Sequence, residues 1–110
     1  MNKKILINII IILAIIIFSL IVLNSSKGYT EEDLAKCIGK NSELYIQLGC
    51  HACSTQEEMF GESYQYLNVI DCWSNENQCD EITYTPTWII EGEEYIGARS
   101  IEELKQLTGC

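Results

Sequence analysis

Positive charge is scarce in this chain: seven Lys and Arg stand against sixteen Asp and Glu. Two of the seven, Lys3 and Lys4, lie at the extreme N-terminus. Residues 24–110 therefore set five bases (Lys27, Lys36, Lys40, Arg99 and Lys105) against all sixteen acids, a formal charge of −11. Such a surface repels nucleic acid and anionic lipid headgroups, so neither is expected as a ligand. A solvated acidic coat that keeps the domain soluble accounts for the charge. Cysteine is absent before Cys37, which leaves no lipid-accepting thiol near the end of the N-terminal apolar run. Proline and histidine each occur once, as Pro86 and His51.

What the chain has in abundance at its start is aliphatic surface. Ile5 to Leu23 is a run of 19 residues interrupted only by Asn8 and Ser19. As a helix it spans roughly 28 Å, close to the ~30 Å hydrocarbon core of a bilayer. Lys3 and Lys4 precede it, so the positive-inside rule keeps the N-terminus in the cytoplasm and sends everything after Asn24 outside. A cleaved signal peptide has a shorter apolar region and a small-x-small cleavage site, of which Asn24-Ser25-Ser26 is a poor version. The expectation is a retained anchor over residues 1–23, a linker over 24–30 and a folded domain over 31–110, at the cell membrane with the domain extracytoplasmic.

All six cysteines (Cys37, Cys50, Cys53, Cys72, Cys79 and Cys110) fall in that exported part. An even number in a small domain outside the cytoplasm points to disulfides, although the spacing alone does not say which cysteines pair. Gly49-Cys50-His51-Ala52-Cys53 stands between an alternating apolar run, Glu43 to Leu48, and a polar, helix-compatible run, Ser54 to Phe60. That is strand, tight turn, helix. Two cysteines separated by two residues at a helix start can close a small disulfide ring, and the unpaired helical N–H groups stabilise a thiolate on the first.

The remaining elements follow from local signals. Thr30 is an N-cap with Asp33 at the third helical position, opening a short helix from Glu31 to about Ile38 that Gly39 stops. Gly61 ends the helix after Cys53. Tyr66 to Cys72 is the next strand, Trp73 to Asp80 a polar loop, and Glu81 to Tyr84 the end of a helical turn. Thr87 to Ile90 and Glu94 to Ile96 form a hairpin around Glu91-Gly92-Glu93. Ser100 with Glu103 is a capping box for a last helix, which Gly109 closes.

This order is thioredoxin-like, and the chain resembles the thioredoxin-like domains fused to, or found beside, bacterial and archaeal homologues of vitamin K epoxide reductase. The residues that carry the resemblance are Leu34-Ala35-Lys36-Cys37, Cys50 to Cys53, Val69-Ile70-Asp71-Cys72, Cys79, Thr83 to Ile90 and Gly97-Ala98-Arg99-Ser100. It implies an α/β fold, a mixed central sheet flanked by helices, following a single transmembrane helix. It also implies that Thr85-Pro86 is a cis-proline loop facing the CxxC and offering backbone groups to an extended substrate. Read without the resemblance, a trans proline at the first residue of a strand is also permitted at Pro86. A local Cys72–Cys79 disulfide, and a Cys37–Cys110 link between the first and last helices at the face opposite the CxxC, are further implications. Where the family has Trp before the first cysteine and Pro-His between the two, this chain has Gly49 and His51-Ala52. Six residues before Cys50, where many thioredoxin-like proteins bury an acid, it has Leu44, and Glu43 should face the other side of the strand.

The implied activity is a thiol–disulfide oxidoreductase without cofactor or metal. Cys50 is the attacking or attacked sulfur and Cys53 the resolving thiol. His51 either favours the Cys50 thiolate when protonated, making the couple more oxidising, or has no effect in an exposed turn. The implied partners are exported cysteine-containing proteins and a quinone-linked membrane homologue of vitamin K epoxide reductase that reoxidises the pair. Two other readings of the cysteines stay open on sequence grounds. One is a structural zinc site built from Cys50, Cys53, Cys72 and Cys79, and the other a disulfide-braced, non-catalytic adaptor.

Overall fold

The computed structural model describes residues 1–24 and 30–110. Most of the expected linker thus lies outside the described residues. Helix α1 (Lys3–Asn24) has no buried residue, and it is long and apolar enough to cross a membrane.

The chain after it is a mixed α/β arrangement: α2 (Glu31–Asn41), β1 (Ser42–Ile46), α3 (His51–Phe60), β2 (Val69–Asp71), β3 (Thr87–Ile90), β4 (Glu93–Ile96) and α4 (Ile101–Thr108). The four strands form one sheet in the order β2-β1-β3-β4. β1 and β2 are parallel, with α3 as their crossover, whereas β3 runs antiparallel to both β1 and β4. The register sets Val69 beside Leu44, Leu44 beside Trp88, and Trp88 beside Tyr95. That row supports the core, which comprises Ala35, Ile38, Leu44, Phe60, Leu67, Trp88, Ile90 and Leu104 and includes no residue of α1.

Local chemistry explains most boundaries. The Asp33 N–H donates to Thr30 Oγ1 at 3.1 Å and the Glu103 N–H to Ser100 Oγ at 3.2 Å, capping α2 and α4. Each start also carries acids in its first turn, favourable at the positive end of a helix dipole. The box at Ser100 is only half closed, because the Glu103 carboxylate accepts instead from Arg99 Nη1 at 2.8 Å.

Several expected boundaries are corrected. Gly39 does not stop α2, which runs on to Asn41. A Cβ at Gly39 would collide with the backbone carbonyl oxygen of Tyr66, so the glycine permits close approach between α2 and the segment after α3. That segment, Gly61–Tyr66, is a 3₁₀ turn; strand β2 therefore begins at Val69 rather than Tyr66. β1 ends at Ile46, and Leu48, expected on its apolar face, is 73% exposed in the following turn. The helical turn expected over Glu81 to Tyr84 is instead a 3₁₀ turn at Glu76–Gln78, within the loop closed by Cys72 and Cys79.

Candidate functional site

β1 delivers the chain to a turn in which the Cys50 N–H donates to Gln47 O at 3.3 Å. Gly49 takes φ +81°, a left-handed conformation that costs a side-chain-bearing residue about 1–2 kcal/mol. Cys50 is the N-cap of α3, and its Sγ accepts the Cys53 N–H at 3.1 Å. Cys50 and Cys53 are joined as a disulfide with Cα atoms 5.2 Å apart. Cys50 is half-buried and Cys53 only 6% exposed, so Cys50 is the more accessible of the pair. Once the ring is reduced, the same N–H and the helix dipole stabilise a Cys50 thiolate.

The opposite wall is the Thr85–Pro86 peptide, which is cis. The Thr85 carbonyl oxygen lies 3.4 Å from Cys50 Sγ, within reach of an S–H donor. The fully buried Pro86 is held by the Gly97 N–H, which donates to its carbonyl at 2.8 Å, and the Thr87 hydroxyl donates to Tyr84 O at 2.6 Å. Sequence positions 35 apart are thereby brought to one point.

Two open cavities meet at Cys50. One, of about 570 Å³, is lined by Leu48, Gly49, Cys50, Ile82, Tyr84 and Thr85 together with Glu76 and both sulfur-bearing residues of the Cys72–Cys79 disulfide. Leu48 and Tyr84, at 73% and 62% exposed, give it an apolar rim. The second, of about 430 Å³, includes Cys50, His51, Cys53, Glu57 and Asp71. Tyr64 lies close to that acidic side: burial first, then the Glu57 and Asp71 carboxylates, push its hydroxyl up to about 12. Leu44, six residues before Cys50, is fully buried and apolar, whereas the Glu43 carboxylate accepts from Tyr45 Oη at 2.6 Å.

The other cysteines form two further disulfides. Cys72–Cys79 closes the loop beside the first cavity, with Cα atoms 5.6 Å apart. Cys37–Cys110 ties α2 to the chain end after α4, with Cα atoms 6.0 Å apart. Asn41, immediately before β1, has its Nδ2 3.8 and 3.9 Å from those two sulfurs, so this link sits at the end of β1 remote from Cys50. Among the described residues, no three His, Cys, Asp or Glu side chains are grouped to hold a metal.

The structure adds roles that the sequence reading did not assign. Glu57 and Asp71 line the second cavity together with Cys53, and Gln56 is fully buried on α3. A signal for Gln56 was present: Cys53, Gln56 and Phe60 recur at helical spacing and are the three buried residues of α3. A comparison with known protein families finds none that matches this chain.

Proposed function

We propose that this chain is a membrane-anchored, extracytoplasmic thiol–disulfide oxidoreductase with a thioredoxin-like domain, whose working pair is Cys50 and Cys53. The observation that carries the reading is a helix-capping Cys50 whose Sγ faces the carbonyl of Thr85 at 3.4 Å. The mixed sheet and the strand–CxxC helix–strand–hairpin–helix order support the fold assignment. A lone disulfide staple requires neither an open cavity at its sulfur nor a backbone acceptor beside it.

In the oxidising direction, a substrate thiol sheds its proton to solvent and its thiolate attacks Cys50 Sγ. A substrate–Cys50 bond forms, the Cys50–Cys53 bond breaks, and Cys53 leaves as a thiolate that takes up a proton. A second substrate thiolate then attacks the substrate sulfur of the mixed disulfide and releases Cys50 as a thiolate. Two electrons have moved from the substrate dithiol to Cys50 and Cys53. On this reading a quinone-linked membrane partner resembling vitamin K epoxide reductase accepts them and restores the ring. The Thr85 backbone offers an extended substrate a place to pair while its sulfur is attacked.

The test uses the full chain in detergent micelles with a reduced, unfolded cysteine-containing protein. The wild-type disulfide should be consumed; offered a disulfide-containing protein instead, Cys53→Ser, whose Cys50 is then a free thiol, should displace one substrate sulfur and accumulate reductant-sensitive adducts through Cys50, and Cys50→Ser should form none. A folded wild-type chain whose Cys50–Cys53 ring resists thiols would reject the proposal. Equilibration with a thiol buffer reads direction: a potential near about −120 mV supports oxidation and one near about −270 mV reduction.

A further inference from the structure

Gln56 is fully buried one turn beyond Cys53, and an amide removed from water costs free energy unless its polar atoms are paired. Here all of them are. Its Oε1 accepts from Trp88 Nε1 at 3.0 Å and from the Arg99 N–H at 2.7 Å. Its Nε2 donates to Arg99 O at 2.9 Å, with Met59 Sδ 3.6 Å away. These contacts use both acceptor and both donor positions of the amide and fix its orientation, because a flipped amide would turn its NH₂ toward two other donors.

Both partners lead to the wall opposite Cys50. Trp88 stands two residues after Pro86 on β3. Arg99 stands two residues after Gly97, whose N–H holds the Pro86 carbonyl. Arg99 is itself fastened, with Nη2 donating to Ile96 O and Nη1 to Glu103, each at 2.8 Å. Among the described residues, Gln56 is the only side chain of α3 hydrogen-bonded to β3 or to the segment after β4. The contacts close a circuit from Cys50 along α3 to Gln56, through Arg99 and Gly97 to Pro86, and back across the 3.4 Å gap between Thr85 O and Cys50 Sγ.

We propose that Gln56 is a positioning residue for disulfide exchange: it sets the separation between Cys50 and the Thr85–Pro86 backbone on which an extended substrate lies. The inference rests on reading Cys50 and Cys53 as the exchange pair. Its physical basis is the steep dependence of attack on alignment, where a displacement of about 1 Å costs on the order of 100-fold in rate. Gln56 touches neither substrate nor sulfur and acts only through the loop. Reactions that use the loop should therefore depend on it, and reactions that need only Cys50 should not.

The experiment compares two reductants of the oxidised full chain in detergent micelles: an unstructured cysteine-containing peptide, which lies along the loop, and dithiothreitol, which is too small to do so. Gln56→Leu should slow the peptide reaction at least tenfold while the dithiothreitol rate stays within about twofold of wild type. Gln56→Glu, which keeps the acceptors for Trp88 and the Arg99 N–H, should recover part of the peptide rate. Equal peptide rates in Gln56→Leu and wild type would overturn the proposal, as would an equal fall in both rates, the mark of a merely structural role. Should Gln56→Leu fail to fold, Trp88→Phe, which removes one of the three short bonds, must show the same selective loss or the proposal falls. A wild-type chain inert to both reductants would instead refute the underlying assignment of Cys50 and Cys53.

Discussion

The two disulfides outside the candidate site close loops of very different length, and this sets a quantitative expectation. Cys37 and Cys110 are 73 residues apart, Cys72 and Cys79 only 7. In the chain-entropy description, a cross-link stabilises by removing freedom from the unfolded chain, by an amount that grows with the logarithm of loop length. The longer link should contribute about 4 kcal/mol and the shorter about 2 kcal/mol. Their difference, about 2 kcal/mol, is the firmer number because the constant in the relation cancels. A domain of this size has about 5–15 kcal/mol in total, so loss of the longer link removes a large fraction of it.

The perturbation is the pair of double variants Cys37→Ala/Cys110→Ala and Cys72→Ala/Cys79→Ala, each unfolded in urea as the full chain in micelles under non-reducing conditions. With a urea slope of about 1 kcal/mol/M for a small domain, their midpoints should differ by roughly 2 M, with the Cys37/Cys110 variant the weaker. Both retain Cys50 and Cys53, so reduction of that ring by dithiothreitol in the folded state should be unchanged in the Cys37/Cys110 variant. If the Cys72/Cys79 variant were equally or more destabilised, the entropic reasoning would be wrong. The short loop would then be held by something beyond chain closure.

Two further outcomes are expected. Gly39→Ala should destabilise the fold by about 1–3 kcal/mol in the same urea assay, because the new methyl meets the Tyr66 carbonyl rather than open space. An exposed helical glycine would instead gain about 1 kcal/mol from this change, so the sign of the result decides whether the close approach exists. Tyr45 and Tyr64 should ionise late in an alkaline absorbance titration: donation to Glu43 followed by burial pushes Tyr45 up to about 12, and burial pushes Tyr64 up to about 12. The folded state then keeps protons that the unfolded chain releases from about pH 10, so stability should fall as pH rises from about 10 to 12. Tyr45→Phe should remove one late-ionising group; loss of a group that ionises near pH 10 instead would contradict the Glu43 contact.

The parts of the fold that were legible in the sequence are those specified by neighbouring residues. Ser100 and Gly109 bracket α4, Glu91-Gly92 turns β3 into β4, and Cys50 opens α3, because caps and tight turns satisfy their hydrogen bonds within a few positions. What was not legible depends on distant partners. Gly39 looks like a stop signal until Tyr66 is placed against it. Leu48 fits an apolar strand pattern until β1 bends away at Ile46 to present Cys50. Gln56 shares the helical spacing of Cys53 and Phe60, but only the packing of Trp88 and Arg99 against α3 shows why its amide is there. At the candidate site, Cys50 and Cys53 could be marked by spacing, but the proximity of Thr85 to Cys50 is a property of the folded sheet.

The strand order also governs how the domain meets its neighbours. With β1 and β3 inside, the sheet has two open borders, β2 and β4. β2 offers only three residues, too short a ledge to template another strand. β4 is longer but carries exposed Glu93 and Glu94. Two copies meeting border to border along β4 would bring these carboxylates together, and like charges facing across a strand pair oppose its formation. The acidity of the chain thus also blunts its sheet against runaway self-pairing.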